Sequence, residues 1–525
     1  MADISRGPSR DAVLYNEELF HRILDDYRPV GEKSMLISLA LACKAFLNPV
    51  LDRIWASLPS PFPLLSLLAE FSAANGGHYL TTEKWLTNLD RFLFYSTRVK
   101  SITLPAHASA VSSQVYATIL TQVKLRYPSI HPFSRTHYVA LDTLSEPTLH
   151  FLSLVLSPSV TEISLQEDED VKMAPHVIPP FFTKLKEGAP FLARIRFSGS
   201  SHLSNAIRSF ARTVELPALV SVQLHVESSF SSVSHETTFA KPEPNLLAHF
   251  HAINGSLDKE NTTTQDYSVT ASFEARPSIL EALLHLMQCD RITALDLTIY
   301  LFDNSPINES SMPSFITAII QELSSARRSA LKKLTLRFPR GHPYTMDPDL
   351  LSNLVNLPFI EDFAYHGYLF SRFNSVAEAD NFFKSLLTSS TKTVPLQHLR
   401  LDIYNRGDHT FSFQSLLHLR EENKSLRTLQ LPFDSSLSDL AKLLQNPTTP
   451  KANPLRSLQI HDLRKSPLPG EHHHPICTFF NHGFPQLQHI EVDGPDHVDQ
   501  FHVFLAWDHL ERFRKSRRYL ALRRR

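Results

Sequence analysis

The chain has 525 residues, 42% of them hydrophobic, and a formal net charge of −1. That length and apolar content sustain a large core and exclude global disorder, and the near-zero charge gives no general reason to expect nucleic acid or a membrane surface as partner. Cys43, Cys289 and Cys477 are too few and too scattered for a disulfide framework, so a reducing compartment, cytosol or nucleus, is expected.

The opening residues, MADISRGPSRDAV, lack the apolar centre of a secretory signal, and no apolar run approaches the roughly 18 residues that span a bilayer. Glycine is scarce, 13 residues against 35 prolines, which lowers the expectation of a phosphate-cradling loop. The sequence VGEKS at 30–34 lacks the spacing of such a loop, and no G-x-S-x-G, H-E-x-x-H or paired-carboxylate motif is present.

Three helical patterns come first. Leu19, Ile23 and Tyr27 share one face from Glu17 to Tyr27. Leu36, Leu39, Cys43 and Phe46 form the stripe of a helix from Lys33 to Phe46. Asn48 is suited to cap a third helix with Pro49 in its first turn and Leu51, Ile54, Trp55 and Leu58 on its apolar face. Ile37, Leu41 and Leu47 lie off the main stripe, so the middle helix is apolar nearly all round. Three short helices bury too little to cover it. Its cover comes from the rest of the chain, as an ordinary core helix, or from another protein.

The stretch from Leu14 to Trp55 resembles an F-box. The family opens with Leu-Pro, an acidic residue and spaced aliphatics; here stand Leu14-Tyr15, Glu17, Leu19, Ile23 and Leu24. The Cys-Lys-x-aromatic pattern is matched by Cys43, Lys44 and Phe46, and the closing Leu-x-x-x-Trp by Leu51 and Trp55. Tyr15 replaces the family's proline and Phe46 its commoner tryptophan. The resemblance implies a module, residues 12–58, that docks on the Skp-type linker of an SCF (cullin-RING) ubiquitin ligase through Leu14, Leu19, Ile23, Leu39, Cys43, Phe46, Leu51 and Trp55, and through that linker reaches cullin. The following DRIWASLPSPFPLLSLL, Trp85 and RFLFYSTRVKSITL resemble the large fungal-type F-box/leucine-rich-repeat proteins. Residues 59–95 read as a helical connector.

From residue 96 onward one theme recurs: apolar, two others, apolar, one polar, apolar. It stands as RVKSITL, SVTEISL, FLARIRF, ALVSVQL, RITALDL, ALKKLTL, LQHLRL, SLRTLQL, PLRSLQI and QLQHIEV. The residue between the last two apolar positions is always polar: Thr103, Ser164, Arg196, Gln223, Asp296, Thr335, Arg400, Gln430, Gln459 and Glu491. Half-buried strands require that alternation. Helical patterns intervene at 202–214 (Leu203, Ile207, Phe210, Val214), 314–329 (Phe315, Ile319, Leu323) and 437–445 (Leu437, Leu440, Leu444).

Strand, turn and helix at irregular periods resemble leucine-rich repeats, degenerate because Asp168, Ser200 and Tyr300 stand where the family's asparagine would. The expected fold is therefore α/β: a three-helix F-box-like module, then an irregular solenoid over 96–510 with parallel strands on the concave face and helices outside. An ordinary two-layer α/β domain is the alternative.

The segment 227–267, rich in Ser, Thr, His and Asn, reads as a polar insertion, with a degenerate strand at YSVTASF. His472, His473, His474 and Cys477 do not complete a tetrahedral zinc set and read as a histidine-rich loop. FHVFLAWDHL reads as a helix capping the last repeat; the basic tail that follows, 511–525, reads as a helix with one solvated face and Phe513 and Leu520 buried, or alternatively as a nuclear-import signal or acid-binding patch.

The concave face, carrying Arg196, Gln223, Asp296, Thr335, Arg400, Gln430, Gln459 and Glu491, is the expected substrate surface. Mixed charge favours a protein there over nucleic acid. The expectation is a non-catalytic substrate adaptor without cofactor or metal. Its rivals are a scaffold with no ligase partner and a hydrolase or transferase assembled from distant residues.

Overall fold

The computed structural model describes residues 22, 33–68, 71–74, 77–80, 88–106, 111–166, 175–200, 218–227, 269–275, 280, 283–284, 292–299, 311–324, 330–339, 345–369, 373, 375–388, 393–403, 411–433, 453–462, 472–492 and 501–523. Leu14, Leu19, Ile23, the helical patterns at 202–214 and 437–445, and all of the polar insertion except Glu227 lie outside them.

Helix α1 spans Lys33–Ala42 and α2 spans Lys44–Ala56. The break falls at Cys43, which is extended at φ −152°, ψ 134°, rather than before Asn48 as the sequence suggests. Pro49 lies inside α2. Leu36 and Val50 explain the break. In one continuous helix they would stand about 21 Å apart, at 1.5 Å per residue. Folding at Cys43 buries them together, with Leu39, Ala40, Phe46 and Ile54 packed alongside. Asn48 does not cap a helix here: its carbonyl and side-chain oxygens accept from Arg98, which also pairs with Asp52. Trp55 packs on Tyr95 with ring centroids 4.5 Å apart, fixing the helix pair to the body of the protein.

The connector is not purely helical. After β1 (Ser57–Leu58) and a single turn, α3 (Phe62–Leu65), strands β2 (Phe71–Ala74) and β3 (Gly77–Leu80) pair antiparallel before α4 (Leu89–Ser96). Asn75-Gly76 lies between them in sequence, the dipeptide most typical of two-residue hairpin turns.

One parallel sheet organises the rest. Its strands are β1, β4 (Ser101–Leu104), β5 (Tyr138–Leu141), β6 (Glu162–Gln166), β7 (Arg194–Ser200), β8 (Ser221–Glu227), β9 (Val269–Ala275), β10 (Ile292–Ile299), β11 (Lys333–Arg337), β13 (Asp362–Leu369), β14 (His398–Ile403), β15 (Thr428–Phe433), β16 (Ser457–Asp462) and β17 (His489–Val492). Each pairs with its predecessor in the path, and the short β12 (Thr345–Met346) pairs beside β13. All ten sequence motifs fall in strands of this sheet. β8 pairs directly with β9, so the polar insertion joins two neighbouring strands, and β9 occupies most of YSVTASF. Strand order never reverses along the path, so the sheet has no switch-point crevice of the kind doubly wound enzymes use.

Helices α5 (Ser113–Arg126), α6 (Glu146–Val155), α7 (Ile178–Gly188), α8 (Ser311–Ser324), α9 (Pro348–Val355), α10 (Val376–Thr388), α11 (Phe413–Glu422) and α12 (His473–Gly483) alternate with the strands. Ser112, Ser145, Asp347 and Ser412 accept first-turn N–H groups at the starts of α5, α6, α9 and α11. The expected stripe Phe315, Ile319 and Leu323 of α8 is buried. A single apolar core runs from Leu58 to Leu510.

Successive units are also tied by polar groups in the turns entering the strands. Thr136 donates to the Val99 carbonyl, Ser159 to that of Thr136, Ser425 to that of Leu396, and Asn453 to those of Asn423 and Leu419. These bonds meet backbone carbonyls that a buried turn would otherwise leave unpaired.

The last helix, α13, runs unbroken over Phe501–Arg523, so the basic residues after 510 continue the capping helix, as the helical reading of them expects. Trp507 is buried and donates to Asp462 at 2.6 Å. Arg514, 1% exposed, is held by Glu511 at 2.6 Å and donates to the carbonyls of Leu487 and Gln488; Arg518 donates to those of Leu487 and Pro485. Phe513, expected to be buried, is 38% exposed because Leu510 and Arg514 take the inward positions. The histidines are not on a loop: His473 and His474 open α12, where Cys477 is buried against the Leu510 carbonyl and burial pushes its thiol up to about 11.

Asp380 of α10 is a buried carboxylate that joins α10 to the start of α11. It accepts from the Ser412 backbone N–H at 3.0 Å, the Ser412 hydroxyl at 2.6 Å and the Ser415 hydroxyl at 2.5 Å. Asp380→Ala strands three buried donors and is expected to cost about 2–3 kcal/mol, measured as a lower urea midpoint. A Ser415→Ala change removes one donor and is expected to cost about 1 kcal/mol.

Candidate functional site

Parallel register turns the local alternation of each strand into one row across the sheet. Thr103, Ala140, Ser164, Arg196, Gln223, Ser272, Asp296, Thr335, Ala364, Arg400, Gln430, Gln459 and Glu491 are partners in unbroken succession from β4 to β17. The eight expected surface residues are all in this row. Arg196, Gln223, Arg400 and Glu491 are exposed, and Asp296, Gln430 and Gln459 are half-buried. Thr335 is the exception. It is 3% exposed and flanked on its own strand by the longer Lys333 and Arg337, and its neighbour Ala364 is equally closed. Thr335 therefore offers no contact surface.

Two flanking rows lie two residues to either side, as the period of a strand requires. One carries Glu162, Arg194, Lys333, Asp362, His398, Thr428, Ser457 and His489. The other carries Gln166, Ser198, His225, Glu274, Thr298, Arg337, His366 and Asp402. The motif reading singled out the central row alone; extending the same alternation by one step finds both neighbours.

Across β6 to β14 the charges pair with one another. Glu162 holds Arg194 at 2.8 Å and Arg196 at 3.3 Å. His225 meets Glu274 at 2.5 Å, Arg337 meets Asp296 at 3.2 Å, Lys333 meets Asp362 at 3.4 Å and His366 meets Asp402 at 3.3 Å. Between β6 and β9 the face dips into a depression of about 340 Å³ lined by Ser164, Arg196, Gln223, His225, Ser272 and Glu274, among others. His398, 2.6 Å from the Thr428 hydroxyl, is held below the usual imidazole range first by burial and further by Arg400, Arg427 and Lys333, against the opposing pull of Asp362.

A second surface lies on the N-terminal helices. Met35, Ile37 and Leu41 are 53%, 50% and 81% exposed, and Leu47 is 39% exposed, while Leu36 beside them is buried. Among the expected docking residues, Leu39, Cys43, Phe46, Leu51 and Trp55 are all half-buried; Leu39 and Phe46 support the Leu36–Val50 cluster and Trp55 faces Tyr95. The open apolar residues are thus Ile37, Leu41 and Leu47, off the main stripe.

Among the described residues no helix is long and apolar enough to cross a membrane, and no three His, Cys, Asp or Glu side chains converge as a metal site. Comparison with models of known protein families found none that matches, and a search of curated proteins found no match.

Pairs this exposed contribute about 0–1 kcal/mol each, so they shape the face without holding the fold. Arg337→Ala is expected to lower unfolding free energy by less than about 1 kcal/mol in urea denaturation, far less than Asp380→Ala.

Proposed function

We propose that this chain is a non-catalytic recognition subunit of an SCF-type ubiquitin ligase, acting in the cytosol or nucleus. In this reading α1 and α2 dock on a Skp-type linker, and the stacked strand–helix units are a degenerate leucine-rich-repeat solenoid that presents a protein substrate on the polar sheet face. The chain breaks and forms no bond. It raises the effective concentration of a substrate lysine near the ubiquitin-carrying enzyme.

The observation that carries the docking half is the exposure of Met35, Ile37 and Leu41 on a helix that, among the described residues, buries Leu36 in the small cluster with Val50. Ile37 and Leu41 stand one turn apart on the same face of the helix, and exposed apolar surface of this kind marks protein association. The Cys43–Lys44–Phe46 and Leu51–Trp55 patterns are what direct the reading toward an F-box rather than toward association in general. The substrate half is supported by a polar face too evenly charge-paired to track a nucleic-acid backbone. A scaffold without a ligase partner would share the sheet face and differ only in what covers Ile37 and Leu41.

Full-length protein co-purified with a Skp-type linker is expected to bind stoichiometrically. Ile37→Asp with Leu41→Asp, both at exposed positions, is expected to abolish that binding while circular dichroism is unchanged. A folded wild-type chain that does not retain the linker would overturn the ligase reading.

A further inference from the structure

The C-terminal end of the sheet face does not follow the pairing rule of the rest. Arg400 of β14 is exposed, as are Arg427 and Arg456, the residues immediately before β15 and β16. None of the three forms an ion pair with a described residue, in contrast to Arg194, Arg196, Lys333 and Arg337. Arg427 and Arg456 are direct neighbours: the Arg456 N–H donates to the Arg427 carbonyl at 2.7 Å, which puts two arginine backbones side by side at the strand spacing of about 5 Å. Arg400 stands three residues further along and one strand back, about 11 Å from Arg427 by strand geometry. His398 sits between them and is pushed toward its neutral form by both guanidinium groups after the larger effect of burial.

Most acids of this end are engaged: Asp402 by His366, Glu422 by Lys384, Glu421 by Arg420 and Asp362, which favours the charged form of His398, by Lys333. Glu491 lies opposite Gln459 on the neighbouring strand β17, about 11 Å from Arg456 by strand geometry, and bounds the patch on that side. Between the arginines the face offers Thr428, Gln430, Ser457 and Gln459, which are neutral groups able to donate and accept along an extended backbone.

We propose that the sheet face of β14 to β16, together with the strand-entry edge beside it, binds an acidic polypeptide segment, with Arg400 on the face and Arg427 and Arg456 on the edge as its cationic anchors. Unpaired, mutually repelling guanidinium groups gain most when a carboxylate arrives, because arginine pairs with carboxylates in a bidentate geometry and the repulsion is relieved in the same step. The spread of the three anchors suits carboxylates along one extended strand. The two rows and the strand-entry positions on β14 to β16 carry no Phe, Tyr or Trp on which a nucleic-acid base could stack, so a peptide fits them better than a single-stranded nucleic acid. The assignment rests on the sheet face being the recognition surface and is independent of the linker.

The test is fluorescence anisotropy with the full chain and three fluorescein-labelled probes: a ten-residue Asp/Glu/Ser peptide, its Asn/Gln counterpart, and an oligothymidylate of equal charge. The acidic peptide is expected to bind with an affinity that falls as salt rises, and at least about tenfold more tightly than either other probe. Arg400→Gln, Arg427→Gln and Arg456→Gln combined are expected to weaken it at least about tenfold, whereas Arg194→Gln, at a paired site, changes it less than about twofold. Absence of binding, equal binding of the Asn/Gln peptide, tighter binding of the oligonucleotide, or full affinity in the triple variant would each overturn the assignment. Linker co-purification in the same preparations separates the two readings. Peptide binding without linker binding removes the ligase alone, and linker binding without peptide binding removes this site alone.

Discussion

Everything distinctive about this protein follows from parallel pairing without a register slip across the central row. A parallel strand that moved by one residue would turn its apolar set to solvent and its polar set to the core. Here the row from Thr103 to Glu491 keeps step through strands that differ in length and sequence and that flank a long polar insertion. The single irregularity, between Ile292 and Ala294 in β10, is absorbed before the row is reached. The buried partners Ile102, Ile163, Ile195, Leu334, Leu399, Leu429, Leu458 and Ile490 explain the fidelity, because each misstep would expose one of them. The polar face is the consequence of that burial. Its composition is then free to vary, which is what a recognition surface needs.

The two ends of such a stack expose core and must be closed. At the C-terminus α13 does this with Trp507, Leu510 and a buried Glu511–Arg514 pair whose remaining donors meet carbonyls of the last turn. At the N-terminus the short strand β1 and the helix pair α1–α2 are joined to the body through Trp55, Tyr95 and Arg98. The two solutions differ in kind. The C-terminal helix turns Trp507, Leu510 and the Glu511–Arg514 pair inward and leaves Leu505 and Phe513 partly exposed. The N-terminal pair keeps Ile37 and Leu41 outward, which is why an external partner is the economical account of them. The sheet face differs from both, with neutral paired charge over most of its length and unpaired arginines near one end.

Strands were legible wherever the apolar theme was intact, and the residues it singled out fell into one row. Besides the short β1, β2, β3 and β12, two strands escaped and a third was read only as degenerate, for physical reasons. In β5 the first apolar position is taken by Thr136, whose hydroxyl instead satisfies the Val99 carbonyl. In β13 aromatic Phe363 and Tyr365 replace aliphatics and the position between them is Ala364, so the polar alternation disappears. The strand β9 lies beside a polar stretch that masks its short pattern. The helix break at Cys43 was also hidden. A segment apolar on every side carries no phase, and only the meeting of Leu36 with Val50 in three dimensions decides where the chain turns. The burial of Thr335 depends on its neighbours' length, which a motif does not carry. Arg427 and Arg456 were missed because they lie one step before the strands, outside the alternation.

The most direct test of the account is thiol labelling of single cysteines placed at Arg196, Arg400, Ile195 and Leu401, in a chain whose native cysteines are replaced by serine or alanine. Cysteines at Arg196 and Arg400 are predicted to react at close to the rate of an unfolded chain. Those at Ile195 and Leu401, on the same strands one residue away, are predicted to react at least about a hundredfold more slowly, because labelling them requires opening the core. Equal rates within each strand, or the reverse order in either one, would show that the row does not share one exposed face and would contradict the account.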